Sequence, residues 1–549
     1  MRRCLSLLLS LASFALVGSC GAGGLFPILA SPTPLPTATS TPTPSPTSTP
    51  TPVTLWISPG LPDRLRSSLE ALASNTETWV EIVEDPTLAV VRAGPSPEVP
   101  LAMWIYAVVA PFPSVEDSIA FADLQAAWRG SGTIYASAET SVALEGGLGP
   151  PAPGSVVTTP PESLLQAVWE ARPAMAIVPF DALEPRWKVI AVDGLSPVRN
   201  DFSTEGYPLA VAFGLSGEPT AVAWVQYLLG TSDGGGLVWP ATNRDPARLT
   251  VVLMTGVTAL ARSTAAMMEA NGVDYPGLLI GEWLRGADIT HVSHEVSFAS
   301  NCPEPDPFSR SLRMCGQPEH AALFSSMGVD VVELTGNHLL DWGPTAFLET
   351  LDIYARSGWQ TFGGGSSLEA ALQPVLFEHN GNRIAFLGCN QPGPDWAWAT
   401  DARPGAAPCS DTRILATLGE LRAQGYLPIF TYQWAERYFP LPLPAQTEDF
   451  RAAVDAGAVI VSGSQAHTPQ AFEFYEGALI HYGLGNLFFD QMWSTPTRQE
   501  FLDRHIFYDG RHISTEVLTA MLENYAQPRP MTAEERRSLL EAIFDASGW

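Results

Sequence analysis

The sequence predicts an α/β protein made of two successive folded modules, and three observations carry that expectation. From about residue 54 to residue 240, short apolar runs alternate with segments whose apolar residues recur at helical spacing. The same alternation restarts at Leu249 and continues to the C-terminus. Polar segments rich in His, Asn, Glu and Gln then follow several of the apolar runs, at the strand ends where α/β sheets place their sites. A chain of 549 residues with 46% hydrophobic residues is long enough for two or three domains with real cores.

The first fifty residues read differently. Met1-Arg2-Arg3 and the apolar stretch 5–17 form a secretory signal, and Val17-Gly18-Ser19-Cys20 resembles a bacterial lipobox. Residues 1–20 are thus expected to be a signal with Cys20 as the lipidation site, the rival being an ordinary signal peptide with a chance cysteine. Several acyl chains on one cysteine would anchor the chain to a membrane. Residues 21–53 are dominated by Pro, Thr and Ser, which cannot form a core and favour an extended, semi-rigid tether. The expected location is exported and lipid-anchored, at the cell surface or on a periplasm-facing membrane.

The first module is placed at 54–242. Its strands are expected at 55–57, 103–109 and 176–180, and its helices at 63–73 and 164–171. The second module is placed at 249–549. Strands are expected at 250–255, 289–292, 329–334, 427–432 and 458–462, with helices at 259–270, 344–356 and 447–456. His379-Asn380-Gly381-Asn382 and Glu476-Gly477 mark tight turns between paired strands.

Composition narrows the partners. Against 57 acidic residues stand 29 basic ones, a net charge of −28, with Lys188 the single lysine. Such a surface repels phosphate backbones and argues against nucleic acid. It also opposes an anionic polymer unless arginines cluster or cations bridge. Beyond Cys4 and Cys20, the cysteines fall as two local pairs, Cys302/Cys315 and Cys389/Cys409. In an oxidising compartment these read as two loop-stapling disulfides; a zinc site is the rival, without any CxxC spacing to support it.

Four segments could carry chemistry: Ser293-His294-Glu295, Asn337-His338 followed by Asp341, Gln433-Trp434-Ala435-Glu436, and Ser464-Gln465-Ala466-His467. An Asn carbonyl can ligate a metal while a neighbouring His protonates a leaving group. On that reading Glu295, Asn337 and His467 are metal ligands, with His291 and His294 beside Glu295 able to supply one centre. His338 is the catalytic acid with Asp341, and Gln433, Glu436 and Ser464 line a ligand site. Alternatively, these are hydrogen-bonded loop residues.

The stretch Val331 through Gly343, containing Thr335-Gly336-Asn337-His338, resembles the CapA family, named for poly-γ-glutamate capsule synthesis and related to calcineurin-like metallophosphoesterases. Tyr482-Gly483-Leu484-Gly485-Asn486-Leu487-Phe488-Phe489-Asp490 is similar to its C-terminal signature. The likeness spans some 250 residues in family order. It implies a four-layer α/β/β/α core with a two-metal cleft holding Mn, Fe or Zn, and a role in capsule or envelope polymer synthesis. Three positions depart from the family pattern: Val257 stands for an Asp, Gln433 for a His and Ser464 for a His. Three readings follow, namely a single-metal hydrolase, a cleft that binds without catalysis and without metal, or a relocated site.

In the first module, Tyr106 through Pro111, Phe121 through Trp128 and Ala174 through Phe180 resemble type II periplasmic solute-binding proteins of the phosphate-binding kind. That resemblance implies a small anion as partner. Ser58-Pro59-Gly60, ahead of the first helix, could offer backbone N–H groups to it; a module that binds nothing is the alternative.

Overall fold

Alternating burial along single strands generates most of the architecture. The computed structural model describes residues 51–230, 239–309 and 311–549. The signal, the Cys20 lipobox and nearly all of the Pro/Thr/Ser tether lie outside the described residues. Pro52 to Trp549 form one compact α/β unit with mixed sheets.

The N-terminal sheet has ten strands. Val53–Ile57 pairs in parallel with Val80–Ile82 and Val91–Pro95, and Ala210–Gly217 runs antiparallel to the last of these. The 13-residue strand Val99–Pro111 pairs first with Ala210–Gly217 and then, further along, with Met175–Pro179 and Trp187–Val192. Helix Asp63–Ser74 packs on this sheet because Leu65, Leu69 and Leu72 recur at i, i+4 and i+7. Helix Pro161–Glu170 starts on a proline, whose missing N–H is harmless in a first turn.

The C-terminal half contains two further principal sheets. The eight-stranded one runs Gln360–Phe362, Val331–Glu333, Ile289–His294, Leu249–Thr255, Gln499–Tyr508, Arg511–Glu523, Gln527–Pro530, with Val257–Thr258 beside Ile289–His294. The six-stranded one runs Val375–His379, Asn382–Asn390, Leu427–Arg437, Ile460–Ala466, Ala478–His481, Phe472–Tyr475. On Leu249–Thr255, Val252 and Met254 point toward the second sheet and share a core with Phe386, Ile429 and Ile460. Leu253, between them in sequence, points the other way and packs with Phe324, Phe347 and Tyr354 of the flanking helices. The second sheet repeats this: Phe430 and Val461 turn outward to Leu418 and Phe450 on helices Arg413–Ala423 and Pro444–Asp455. The turns at Asn380-Gly381 and Glu476-Gly477 have both central residues at positive φ, the geometry that tight hairpins demand.

The two halves share cores. Leu249, Val251, Ile506 and Ile513 belong to the same cluster as Val108, Ile177 and Val189. Phe112 meets Phe472, Phe474 and Trp549 edge-on. A charged clamp closes the seam: Lys188 Nζ lies 2.8 Å from Asp117, and Arg536, on helix Ala533–Ala546, forks onto the same carboxylate at 2.7 Å. Among the described residues no helix is long and apolar enough to cross a membrane.

Both cysteine pairs form disulfides, Cys302–Cys315 and Cys389–Cys409. The second closes a separation of 20 residues and ties the end of strand Asn382–Asn390 to the approach to helix Arg413–Ala423. Replacing Cys389 and Cys409 together by Ala should lower stability by about 3 kcal/mol on a chain-entropy reckoning. A urea midpoint unchanged from wild type would contradict this.

Candidate functional site

The candidate site forms where strand ends of the two C-terminal sheets come together. Ser293 Oγ of one sheet lies 3.2 Å from Ser464 Oγ of the other. Gln433 and Ser464 are directly paired in register on neighbouring strands, and Glu295 directly follows strand Ile289–His294. The loop after Val331–Glu333 brings in Asn337 and His338. It can do so because residue 336 is glycine: a Cβ there would sit 2.5 Å from Glu295 Cα. Gly463 serves the other sheet similarly, since a Cβ would come within 1.8 Å of the Tyr482 carbonyl oxygen.

Amide groups dominate the junction between the two sheets. Gln433, fully buried, donates from Nε2 to Asn337 Oδ1 at 2.9 Å and also to Gln465 Oε1. Gln465 holds a positive φ of 74°, a conformation that side chains other than Gly, Asn and Asp rarely adopt. His467 Nδ1 is 2.8 Å from Asn486 Oδ1, and Asn486 in turn donates to the Thr497 carbonyl at 3.0 Å.

His338 and Asp341 form a pair, Nδ1 to Oδ2, at 2.7 Å; Met314 N–H donates to the same carboxylate oxygen. Burial opposes protonation of His338, but the Asp341 hydrogen bond and the charges of Glu295 and Asp341 outweigh it and hold the imidazole above its ordinary value. Glu295 is 1% exposed, and neither carboxylate oxygen has a hydrogen-bond partner among the described residues. Its charge acts on His338 with no hydrogen bond between them.

Four sequence expectations need correction. His294 is not a metal ligand: its ring is inside the helix-side core, stacked on Phe298 and bonded through Nδ1 to Tyr354 Oη at 2.7 Å. His291, three residues earlier and thus on the opposite face of the strand, is bonded through Nε2 to Glu333 at 3.1 Å. Glu436 is exposed and accepts from the Tyr438 hydroxyl, away from the Gln433 and Asn337 amides. The Ser58-Pro59-Gly60 turn offers no N–H to an anion either. Ser58 N–H donates to Ala93 O and Gly60 N–H to Ser58 Oγ, while helix Ala138–Leu148 packs directly on Gly60.

The donor set does not fit a two-metal centre. Val257 is fully buried in an apolar cluster with Ala259, Val296, Met314 and Phe489. The carbonyl of Asn337 is already engaged by the Gln433 amide. Among the described residues no group of three or more His, Cys, Asp or Glu side chains is placed to hold a metal ion. Glu295 retains the chemistry of a cation ligand; its neighbours do not complete a shell.

Tyr438 joins the site from outside the expected segments, while Asn486, Gln465 and Ser293 stood in those segments without an assigned role. Asn486 lies in the C-terminal signature segment, and Gln465 is next to Ser464, so adjacency was the available signal. Tyr438 stacks over His467 with ring centres 6.2 Å apart.

Residues 251–491 match the family model described as Bacterial capsule synthesis protein PGA_cap. The chain is 25% identical over 335 residues to the Capsule biosynthesis protein CapA of Bacillus anthracis, covering 60% of this chain and 79% of that one. It is 25% identical over 258 residues to the PGA biosynthesis protein CapA of Bacillus subtilis (strain 168), covering 46% and 67%. Among solved structures, an ABC-type phosphate transport receptor from Vibrio cholerae aligns with 34% of this chain and 100% of that one, at 15% identity and a TM-score of 0.28. A 5'-nucleotidase precursor from Thermus thermophilus aligns with 55% and 58%, at 14% and 0.30. Both structural likenesses are too slight to identify a fold.

Proposed function

From the premise that residues 251–491 belong to the bacterial capsule synthesis PGA_cap family, we propose that the protein serves capsule, poly-γ-glutamate or envelope polymer assembly through a cleft that binds and does not hydrolyse. The likeness to the two CapA proteins supports the biosynthetic role. The observation that carries the non-catalytic reading is the Asn337–Gln433–Gln465 amide chain, which occupies the place of metal ligands with hydrogen bonds. Amides and hydroxyls recognise amide and hydroxyl groups, so the junction suits a neutral stretch of a polymer backbone better than its charges. We read the two outer helix sets and the two sheets as a metallophosphoesterase-like four-layer arrangement that has lost its chemistry. We also read residues 54–242 as a module of its own, joined to the second through a shared core, and Cys20 as the lipid anchor holding both at the membrane surface.

One observation favours a second reading. The unpartnered carboxylate of Glu295, next to a protonatable His338, could take a single cation and support a reduced hydrolase. Metal analysis and assay of the purified chain separate the two. The expected result is less than one equivalent of Mn, Fe or Zn and no hydrolysis of p-nitrophenyl phosphate. A full equivalent of metal, with hydrolysis abolished by Glu295→Gln, would overturn the binding reading.

A further inference from the structure

A cavity of about 190 Å³ opens at the seam of the two halves. Strand Trp187–Val192 and Asp117 line it from one half, and strand Arg511–Glu523 and helix Ala533–Ala546 from the other. The volume lies below the range of sites for drug-sized ligands and admits a molecule of a few carbon atoms.

Two groups of charge meet here. In the first, Lys188 and Arg536 share the single carboxylate of Asp117, at 2.8 and 2.7 Å. In the second, Arg199 and Arg504 share the single carboxylate of Glu516, at 3.3 and 2.8 Å. All of these except Arg504 line the cavity, and Arg504 acts on it only through Glu516. Each group sets two cations against one acid and keeps one positive charge unbalanced. The neighbouring Glu116 does not offset this, because it accepts from Arg537 at 2.9 Å. The surplus is the reverse of the balance in the whole chain, whose net charge is −28. Sheltered cations short of counter-charge are unfavourable, and an anion in the cavity relieves two of them at once.

Donors also remain open. Lys188 is saturated by Asp117 and the Ser114 and Val115 carbonyls, and Arg536 donates to Asp117, the Val517 carbonyl and Thr519. Arg199 is different: its side chain bonds to Glu516 through Nε, and both Nη groups are without a partner among the described residues. Trp283, of helix Gly281–Arg285, lines the cavity too, and its indole N–H has no partner among the described residues. Arg199 and Trp283 can therefore bond an incoming anion, within the field of Lys188 and Arg536. The rest of the lining, Val189, Leu518, Pro530 and Met531, is apolar and suits a carbon skeleton better than a fully hydrated oxyanion.

We propose that this seam cavity binds a small organic dianion, a short-chain dicarboxylate, which ties the two halves of the chain together. Its two carboxylates answer the two surplus charges, and the carbon chain between them lies against the apolar lining. The inference does not rest on the capsule-family reading, and the cavity is distinct from the Ser58-Pro59-Gly60 turn. Because both halves contribute to the lining, an occupant that binds the folded chain raises its melting temperature by mass action.

The test is calorimetric titration and thermal shift of the full chain with succinate, succinamide and inorganic phosphate, at pH 7 and constant ionic strength. Saturable succinate binding with a raised Tm is expected, and no response to succinamide, which keeps the skeleton without the charge. Arg199→Gln should weaken succinate binding about tenfold or more, and Trp283→Phe should weaken it while preserving the ring. Arg186→Gln, an arginine of the same half outside this cavity, should leave it unchanged. The proposal is overturned by no succinate binding at millimolar concentration, or by succinamide binding as well as succinate. Undiminished binding in both Arg199→Gln and Trp283→Phe would overturn it too, by marking an adventitious anion elsewhere. Phosphate bound in preference to succinate would make this an oxyanion site and overturn the dicarboxylate assignment.

Discussion

Lowering the pH from 7 to 4 is expected to remove about 3 kcal/mol more stability from the wild-type chain than from a His294→Phe variant. Burial among Phe298, Phe324 and Tyr354 pushes the His294 imidazole down to about 3. The folded state therefore refuses a proton that the unfolded state accepts below its ordinary value of 6.5. The stabilisation is complete above pH 6.5 and is lost progressively as pH falls toward the folded value. His512, lowered by burial to about 4, acts in the same direction. Glu500, which burial holds protonated, acts in the opposite one. Comparing wild type with His294→Phe cancels both. At pH 7 the variant should be modestly weaker, because Tyr354 loses its acceptor. Urea unfolding at pH 7, 5.5 and 4 measures the gap; parallel stability curves for the two proteins would refute the assignment.

Asp117→Ala is expected to cost about 3 kcal/mol. Asp117 is the shared counter-charge of Lys188 and Arg536, which are only 12% and 16% exposed. Removing one partner of such a group leaves two sheltered cations facing each other. The carboxylate itself is 52% exposed, which keeps the effect at the lower end of what a fully buried pair would show. Burial already lowers the Lys188 amine to about 8, with the Asp117 charge working against that fall. Without Asp117 the amine should lose its proton near neutrality. Lys188→Met, by contrast, substitutes an apolar chain of similar length and should be nearly neutral; in combination it should recover part of the Asp117→Ala loss. Equal urea midpoints for Asp117→Ala and wild type would show that the clamp contributes nothing.

Elements were legible in the sequence where periodicity was strong. Helix 344–356 is observed as Pro344–Ser357, because Pro344 opens it and Gly358 closes it in the left-handed conformation. Both hairpin turns stand where their glycines put them. The helix expected from 259 begins only at Arg262, because Val257–Thr258 pairs as a strand beside Ile289–His294 and the chain stays extended through Ala261, with the Ala259 N–H bonded to the Phe488 carbonyl. An apolar run carries no mark of such a long-range bond. The site was half legible for the same reason. Asn337, His338, Gln433 and Ser464 follow from polar residues placed at strand ends. The orientation of His294 depended on strand register, and the Gln433–Asn337 bond on which sheets meet; neither is written in local pattern.

The single lysine has a practical consequence. A lysine-specific endoprotease finds one peptide bond to cut in all 549 residues, after Lys188, and that residue is sheltered in the strand Trp187–Val192 with its amine bonded to the Ser114 and Val115 carbonyls as well as to Asp117. Cleavage must wait for the seam to part. The protein thus carries its own one-site clock, in which the rate of a single cut counts how often the junction opens.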